Sequence, residues 1–475
     1  MNYIKNLKTA AIAFTAVVGF AACNKQYLEP IPQTVISDAS AFETPDRILQ
    51  QVFGVYSQLK NGNFLGGRTI VYNDVRGEDW VNVTGNVVTA VNVWNFTLIS
   101  TDNQVENQWA VGYSTINRAN VLIAGIDANP GVLPASLANR YKAEARFCRA
   151  LANFYLVNAY GRRPFNADNG ASLGIPLRLT ASTSNAGASQ PRATVAQVYN
   201  AILDDLNFAE TNLPLSYMGS SDSNVVRAHR NSAIAFKTRV LMHMNRWADV
   251  ITEANKLVPA TAPFQTSSGV THRLNPAFLT TFRTYTTPES IFSLPMTVLN
   301  APGTQNGLGT YHNAEFALNP NGILADAGWG AADARRALVS GTVQPIRYTK
   351  YNSDNDNYVA IIRYAEVMLN LAEALARQAT GVDARALALL NAIRQRSDAS
   401  VTLAPTTRDE LIAAILNERR IEFLGEGLRT QDIQRQNIAF PAKGSVGAVQ
   451  PTAVAYVWPI PASELLYNTA MVPNQ

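Results

Sequence analysis

The chain has 475 residues, of which 47% are hydrophobic and 16% are charged, and its formal net charge is +4. The apolar share is large enough for a substantial core, which excludes a disordered chain. Lys and Arg form no block of the kind that binds nucleic acid, so we expect no nucleic-acid partner. Because Cys23 and Cys148 are the only cysteines, we predict a folded protein whose stability comes from packing.

The N-terminal segment predicts a lipoprotein export signal. A basic start precedes the apolar run 9–20, which is too short to span a bilayer, and Ala21 and Ala22 lead directly to Cys23. Bacterial lipoproteins are cleaved and acylated at a cysteine in this position. We therefore expect residues 1–22 to be removed and Cys23 to carry the palmitate-type lipid that anchors the protein. The alternative is an ordinary secretory signal with an incidental cysteine, and either signal takes the protein out of the cytoplasm.

Helical periodicity dominates the first half of the mature chain. Residues 23–36 form a polar tether, and residues 42–60 have a helical pattern that ends at the glycine-rich segment 61–67. Two further helices are predicted over residues 141–160 and 194–213, and the second of them starts with a capping box. Together these two helices predict a helical hairpin.

The second half repeats this arrangement. Its predicted helices are, in chain order, 228–245, 247–257, 361–375, 384–396 and 411–423. Residues 259–333 show little periodicity and are rich in Thr, Pro, Gly and Asn, so we expect loops and short strands there. The predicted fold class is mainly α: tetratricopeptide-like helical hairpins form a scaffold, and an irregular, loop-rich part binds the ligand.

The sequence contains no motif that indicates catalysis. It has no metalloprotease HExxH, phosphate-binding loop, nucleophile elbow or CxxC pair, and its four histidines lie far apart. Asp74, Glu78 and Asp79 form an acidic cluster beside Trp80 that could suggest a glycosidase carboxylate pair, but we favour a solvated turn. We therefore predict that the protein is not an enzyme and has no cofactor and no metal site.

An ordered series of motifs carries a family resemblance. The clearest are Ile362-Arg363-Tyr364-Ala365-Glu366-Val367, Asn417-Glu418-Arg419-Arg420-Ile421-Glu422-Phe423, Glu426-Gly427-Leu428-Arg429 and Trp458-Pro459-Ile460-Pro461. In this order they resemble the SusD/RagB family, and the resemblance covers nearly all of the mature chain. We divide that chain into an N-terminal SusD-like region, 37–225, and a C-terminal SusD/RagB-like region, 226–475. The charges in the 417–423 motif are expected to pair with neighbouring helices rather than to form an acid/base site.

The resemblance implies a role in nutrient capture. Members of the family are outer-membrane lipoproteins that bind nutrients, usually glycans, above a SusC-like TonB-dependent transporter. It therefore implies a lipid-anchored protein of the outer membrane that faces the cell exterior, with a glycan ligand, such a transporter as partner and no catalysis. Two alternatives stay open: a member of the family that captures peptides, and a structural helical-repeat lipoprotein of the envelope.

Exposed aromatic side chains are the expected ligand contacts. A pyranose ring stacks its C–H face on Trp or Tyr while its hydroxyls bond to amides and carboxylates. The aromatic candidates in loop-like segments are Trp80, Trp94, Tyr285, Tyr311 and Trp329. Trp329 is favoured because two glycines flank it and little bulk is present to bury it. Trp80 comes next, with Asp79 and Asn82 as polar neighbours.

Overall fold

The structure, a computed structural model, describes residues 40–184, 187–351 and 358–474. Helices dominate these ranges. The α-helices are α1 (Pro45–Leu59), α2 (Arg68–Val75), α3 (Val91–Asn95), α4 (Asn103–Ala128), α5 (Ala135–Tyr160), α6 (Phe165–Asp168), α7 (Val195–Asn212), α8 (Ser223–Val226), α9 (Arg230–His243), α10 (Trp247–Ala254), α11 (Leu308–Thr310), α12 (Tyr364–Gln378), α13 (Ala384–Ser397), α14 (Arg408–Glu422), α15 (Arg429–Arg435) and α16 (Ala462–Tyr467). The predicted signal peptide, Cys23 and the tether 23–36 lie outside the described residues.

The strands are short and form antiparallel pairs, β1 with β3, β2 with β6 and β4 with β5. They are β1 (Trp80–Asn82), β2 (Ser290–Pro295), β3 (Phe316–Leu318), β4 (Val339–Ser340), β5 (Arg347–Tyr348) and β6 (Tyr358–Arg363). Both β2 and β3 lie in the aperiodic segment 259–333, where short strands were predicted. Within the described ranges, no helix is both long enough and apolar enough to cross a bilayer.

The helices pack as the predicted hairpins. Helix α5 lies against α4 and α7, α9 lies against α10, and α12 lies against α13. Helix α7 starts with the predicted capping box: the Thr194 hydroxyl accepts from the Gln197 amide at 3.1 Å, and the Gln197 side chain accepts from the Thr194 amide at 2.8 Å. The mainly α, tetratricopeptide-like fold class is confirmed.

Helix α5 lies at the centre of the core. Phe147 and Phe154 on its apolar face are fully buried. The Phe154 ring meets Phe236 of α9 at 5.2 Å between centroids, and the Phe147 ring meets Phe292 of β2 at the same distance. These edge-on contacts join the helical hairpins to the strand pair β2–β6.

One predicted helix starts later than its pattern suggested. Residues up to Arg363 form β6, and α12 starts only at Tyr364. Ile361 and Ile362 are β-branched residues that favour a strand, and β2 offers an antiparallel partner. The prediction that the helix begins at residue 361 was wrong, because pairing with β2 outweighed the helical periodicity there. The same periodicity continues through α12, where the helix does form.

A buried ionic network joins the loop-rich part to the helices. Arg335 pairs with Glu418 of α14 at 2.6 Å, and Glu422 of the same helix pairs with Arg363 at 3.0 Å and with Arg396 of α13 at 2.5 Å. Burial would raise the pKa of Glu422, but these arginines outweigh it and lower the pKa to about 2. The expected structural role of the charges in the 417–423 motif is confirmed.

Candidate functional site

Trp329, the favoured contact, is a core residue. Its side chain is 1% exposed and lies under the Arg336 guanidinium, 4.1 Å from the ring centroid. Of the two glycines that flank it, Gly328 allows close approach rather than exposure. A Cβ on Gly328 would lie 2.6 Å from the Asn417 amide, and Arg394 donates to the Gly328 carbonyl at 2.8 Å. The prediction that Trp329 presents an open face is wrong, because its loop packs against α13 and α14.

Trp80 and Trp94 are buried as well. Trp80 lies in β1, and its ring meets His312 at 4.7 Å. The Trp94 indole N–H donates to the Trp80 carbonyl at 2.8 Å, and the Lys443 ammonium lies 5.6 Å from the Trp94 ring. Trp80 pairs with Leu318 of β3, whereas Trp94 lies in α3 and is held against β1 by its bond to the Trp80 carbonyl. The predicted exposure of these two tryptophans is therefore wrong.

Asp79, Asn82 and Tyr311 surround the same strand pair without forming an open site. Asp79 is buried and pairs with the Arg420 guanidinium, with Nε at 3.0 Å. The Asn82 side chain accepts from the Gly85 amide at 2.7 Å and so closes a turn. Tyr311 is fully buried. The structure brings these three residues close to Trp80, but Asp79 and Tyr311 are buried and Asn82 is half-buried with its side chain engaged in the turn.

The acidic cluster is not the solvated turn that we favoured. Asp74, Glu78 and Asp79 are all buried, and Glu78 pairs with Arg420 at 3.3 Å. The Asp74 carboxylate accepts from the Gly427 amide at 2.9 Å. The preference for a solvated turn was wrong because cations and amides far later in the chain supply partners for these carboxylates, among them the Ile323 amide for Asp79 and Arg429 for Glu78. The described ranges contain no group of three or more side chains that could hold a metal ion.

Tyr285 is the predicted contact that lines a cavity. The cavity has a volume of about 500 Å³ and lies between α1, α8 and β2. Tyr285 is half-buried on its wall, and Phe53 of α1 is 40% exposed at its edge. We call this space the aromatic cavity. Tyr56, Ser293 and Leu294 form its buried floor.

Polar groups stand at defined places around the aromatic cavity. Asp222 and Asn300 are exposed on its edge and offer a carboxylate and an amide. Arg227 is held by the Glu144 carboxylate at 2.6 Å, and its guanidinium lies 5.3 Å from the centroid of the Phe53 ring. The site thus combines aromatic faces with a few fixed donors and acceptors, which is typical of small-ligand pockets.

The electrostatics of the aromatic cavity do not suggest acid/base catalysis. Burial raises the pKa of Tyr285, and the nearby Asp222 carboxylate raises it further, so the phenol stays protonated at neutral pH. Burial lowers the pKa of Lys60, whose ammonium donates to the Pro295 carbonyl at 2.9 Å. A neutral hydroxyl and a fixed ammonium can bind ligand hydroxyls.

Sequence reasoning missed Phe53, although a signal was present. The core face of α1 consists of Ile48, Val52, Val55 and Leu59. Phe53 lies off this face and shares spacings of four and three with Ser57 and Lys60, which also line the cavity. An aromatic residue on the polar side of an amphipathic helix is the observation that could have identified it. Asp222 and Asn300 carry no such signal, because only the fold brings them there.

Comparison with known proteins gives the family. A family model described as starch-binding and associating with the outer membrane matches residues 26–242, and the SusD family model matches residues 336–475. A crystal structure of a SusD superfamily protein from Bacteroides fragilis is 32% identical, with a TM-score of 0.82 over 90% of this chain and 99% of that chain. This chain belongs to the SusD family. The predicted resemblance is confirmed.

Further SusD relatives agree with this assignment. SusD-like protein P2 of Formosa agariphila is 26% identical over 94% of this chain and 95% of that protein. A laminarin binding SusD-like protein has a TM-score of 0.70 at 21% identity and covers 91% of this chain and 99% of that one. Surface glycan-binding protein A from Bacteroides uniformis has the same TM-score, identity and coverage. At this identity the last two relatives show the shared fold.

Proposed function

We propose that this SusD-family chain is a surface lipoprotein that binds a glycan and delivers it to a TonB-dependent transporter. The aromatic cavity is the observation that carries the proposal. Its Phe53 and Tyr285 rings can stack on the C–H faces of sugar rings, and Asp222 and Asn300 can bond to hydroxyls. The names of two structural relatives, a laminarin binding protein and a surface glycan-binding protein, support the same ligand class.

The arrangement suits binding rather than turnover. Two aromatic rings, one on the wall and one at the edge of an open cavity, stabilise a flat ligand mainly by burying its apolar face. Asp222 is the one carboxylate among the residues that line the cavity. A glycosidase needs a pair of carboxylates on either side of the bond that it cleaves. We therefore propose a binding protein that releases its ligand unchanged.

A glycan array on the purified protein identifies the ligand, and calorimetry on variants tests the site. Tyr285→Ala should weaken binding by about 2 kcal/mol, the scale of a central aromatic contact. Phe53→Ala should weaken it less, because Phe53 lies at the edge. The matched control is Tyr467→Ala, which removes an exposed tyrosine at the end of α16, outside the cavity.

Two outcomes would overturn this placement or this ligand class. Full affinity in both Tyr285→Ala and Phe53→Ala, with unchanged melting temperatures, would show that the glycan binds elsewhere. An array without a bound glycan, together with calorimetric binding of a peptide mixture, would replace the glycan by a peptide. Neither result alters the family assignment.

The lipid anchor and the transporter complete the proposal. Acylation of Cys23 would hold the protein at the outer membrane, with the ligand site facing the cell exterior. Cys23→Ser should abolish labelling with radioactive palmitate and release the protein from the membrane fraction. Retention in that fraction without label would contradict the anchor. Co-purification of the wild-type protein with a TonB-dependent barrel would support delivery, whereas a stable complex with other envelope proteins alone would favour the structural alternative.

A further inference from the structure

A second site lies far from the aromatic cavity. Two cavities of about 200 and 320 Å³ share the lining residues Val454, Val457 and Asn474 and so form one groove. We call it the arginine groove, because Arg76 lines its smaller half and Arg162 and Arg163 line its larger half.

The two sites are separated by most of the length of α5. Glu144 of this helix holds Arg227 at the aromatic cavity, and the Tyr160 carbonyl at the end of the helix accepts from Asn474 in the arginine groove. Sixteen residues of helix correspond to about 24 Å. A small ligand in the arginine groove would therefore not touch one in the aromatic cavity.

The arginines of the groove carry positive charges that no carboxylate among the described residues pairs. Across the described ranges, no carboxylate lies within 4.0 Å of the guanidinium groups of Arg76, Arg162 or Arg163. The side chains of Arg162 and Arg163 also make no hydrogen bond there, while Arg76 donates only to the carbonyls of Ala455 and Tyr456, at 3.0 and 2.7 Å. These guanidinium groups keep donors and charge available to a ligand.

Neighbouring cations add to the positive potential. Arg192 donates to backbone carbonyls, among them Gly174 at 2.7 Å, and has no carboxylate partner among the described residues. Burial and the charge of Arg162 lower the pKa of Arg192 to about 10, and burial lowers that of Arg76 to about 9. Buried Lys443 lies near Arg76, which contributes to lowering its pKa. An anion bound between these groups would relieve their mutual repulsion.

The end of α5 does not explain Arg162 and Arg163. Cations near a helix C-terminus can bond to its free carbonyls. Here the Tyr160 carbonyl already accepts from Arg192 at 2.9 Å and from Asn474 at 3.0 Å. The side chains of the two arginines therefore make no hydrogen bond at the end of α5, and they line the groove instead.

Acceptors in the same groove indicate a ligand that also carries hydroxyls. One oxygen of Asp168 accepts from the Ser172 hydroxyl, while its Oδ1 is buried and has no partner in the described ranges. Asn474 Oδ1 is likewise buried without a partner there. Val454 and Val457 supply an apolar wall. Unpartnered buried acceptors are satisfied by hydroxyl donors.

We propose that the arginine groove binds an acidic sugar. Its carboxylate or sulfate would be held by Arg162 and Arg163, and its hydroxyls would donate to Asp168 and Asn474. The C–H face of the sugar would lie on Val457. This inference does not rest on the aromatic cavity.

Calorimetry with three small probes tests the proposal: sodium glucuronate, glucose 6-sulfate and glucose, at ionic strength matched with NaCl. At least one acidic probe should bind the wild-type protein more tightly than glucose does. Arg162→Gln/Arg163→Gln should weaken that binding about tenfold or more. Arg118→Gln/Arg408→Gln is the charge-matched control, since both of its side chains are exposed away from the groove, and it should bind as the wild type does.

The outcomes separate the possible sources of the acid group. Binding of glucuronate alone supports a uronate, and binding of glucose 6-sulfate alone supports a sulfate ester. Equal binding of glucose and both acids, or full affinity in the double variant, overturns the proposal. The single variant Arg163→Gln, which changes an exposed side chain, gives the same test if the double variant folds poorly. Glucuronate binding in Tyr285→Ala shows whether the groove acts without the aromatic cavity.

Discussion

Arginine has opposite electrostatic surroundings in two regions of this protein. In the ionic network, Arg335 and Arg363 are buried and each meets two or more carboxylates. In the arginine groove, Arg162 and Arg163 line a cavity without a carboxylate within 4.0 Å among the described residues. The same residue type thus holds one region together and leaves the other open to a ligand.

The difference shows that pairing, rather than residue type, distinguishes a structural charge from a binding one. A buried guanidinium with bidentate carboxylate partners has its hydrogen bonds and charge satisfied within the fold. A guanidinium that lines a cavity without such partners still gains free energy from an incoming anion. The following predictions test this contrast, from the largest expected effect to the smallest.

Loss of one carboxylate from the network should have the largest effect. Glu422→Gln leaves Arg363 and Arg396 buried beside a neutral group, so it should lower the free energy of unfolding by about 3–5 kcal/mol. Urea denaturation of the wild type and the variant measures this difference. A change of less than about 1 kcal/mol would mean that the network is dispensable and that the contrast between the regions is weak.

Trp329→Ala should destabilise the protein almost as much. The loop that carries Trp329 packs against α13 and α14, which contribute residues to the ionic network. The side chain is 1% exposed, and its removal should lower the free energy of unfolding by about 3 kcal/mol through the cavity that it leaves. Thermal melting checks this value, and glycan affinity measured below the melting transition should stay unchanged. Weaker binding with an unchanged melt would return Trp329 to the ligand site.

Acid should weaken the network before it affects the groove. The pKa of Glu422 is about 2 in the folded protein and near 4.5 when unfolded, so its stabilisation is complete above pH 4.5 and is lost as the pH falls toward 2. The cost of Glu422→Gln should therefore shrink by roughly 2 kcal/mol between pH 5 and pH 3. Urea denaturation at both pH values checks the sign. A cost that is the same at both would contradict the lowered pKa.

Removal of a groove arginine should change stability least. Arg162→Gln breaks no ion pair or side-chain hydrogen bond within the described ranges and removes a charge that repels Arg192. The free energy of unfolding should change by less than about 0.5 kcal/mol and should not fall. Urea denaturation beside the surface variant Arg408→Gln provides the comparison. A loss as large as that of Glu422→Gln would make Arg162 a structural residue.

The sequence predicted the helical part well for a local reason. Capping residues such as Thr194 and apolar spacing along 141–160 act within one or two turns, so they can be interpreted without the rest of the chain. The start of α12 was misplaced because Ile362, inside the predicted helix, pairs with Phe292 of β2, some 70 residues earlier. Long-range pairing is the part of the fold that local periodicity does not contain.

The candidate site was predicted much less well, since exposure is a tertiary property. Of the proposed aromatic contacts, Tyr285 lines the aromatic cavity while Trp80, Trp94, Tyr311 and Trp329 are buried, and Phe53, the counterpart of Tyr285 on α1, was overlooked. Trp329 lies between two glycines, yet one of them, Gly328, allows its loop to approach Asn417 of α14 closely. Small neighbours in the sequence therefore gave no information about what covers a side chain in space.

By itself, the sequence determined the helical hairpins, the family and the structural nature of the charges near Glu418, because each depends on local spacing or on an ordered set of motifs. Only the tertiary structure decided which aromatic rings are buried and which arginines lack partners. Burial and charge pairing depend on residues far apart in the chain, as Asp79 and Arg420 show. The aromatic cavity and the arginine groove therefore became visible only when these distant segments were brought together.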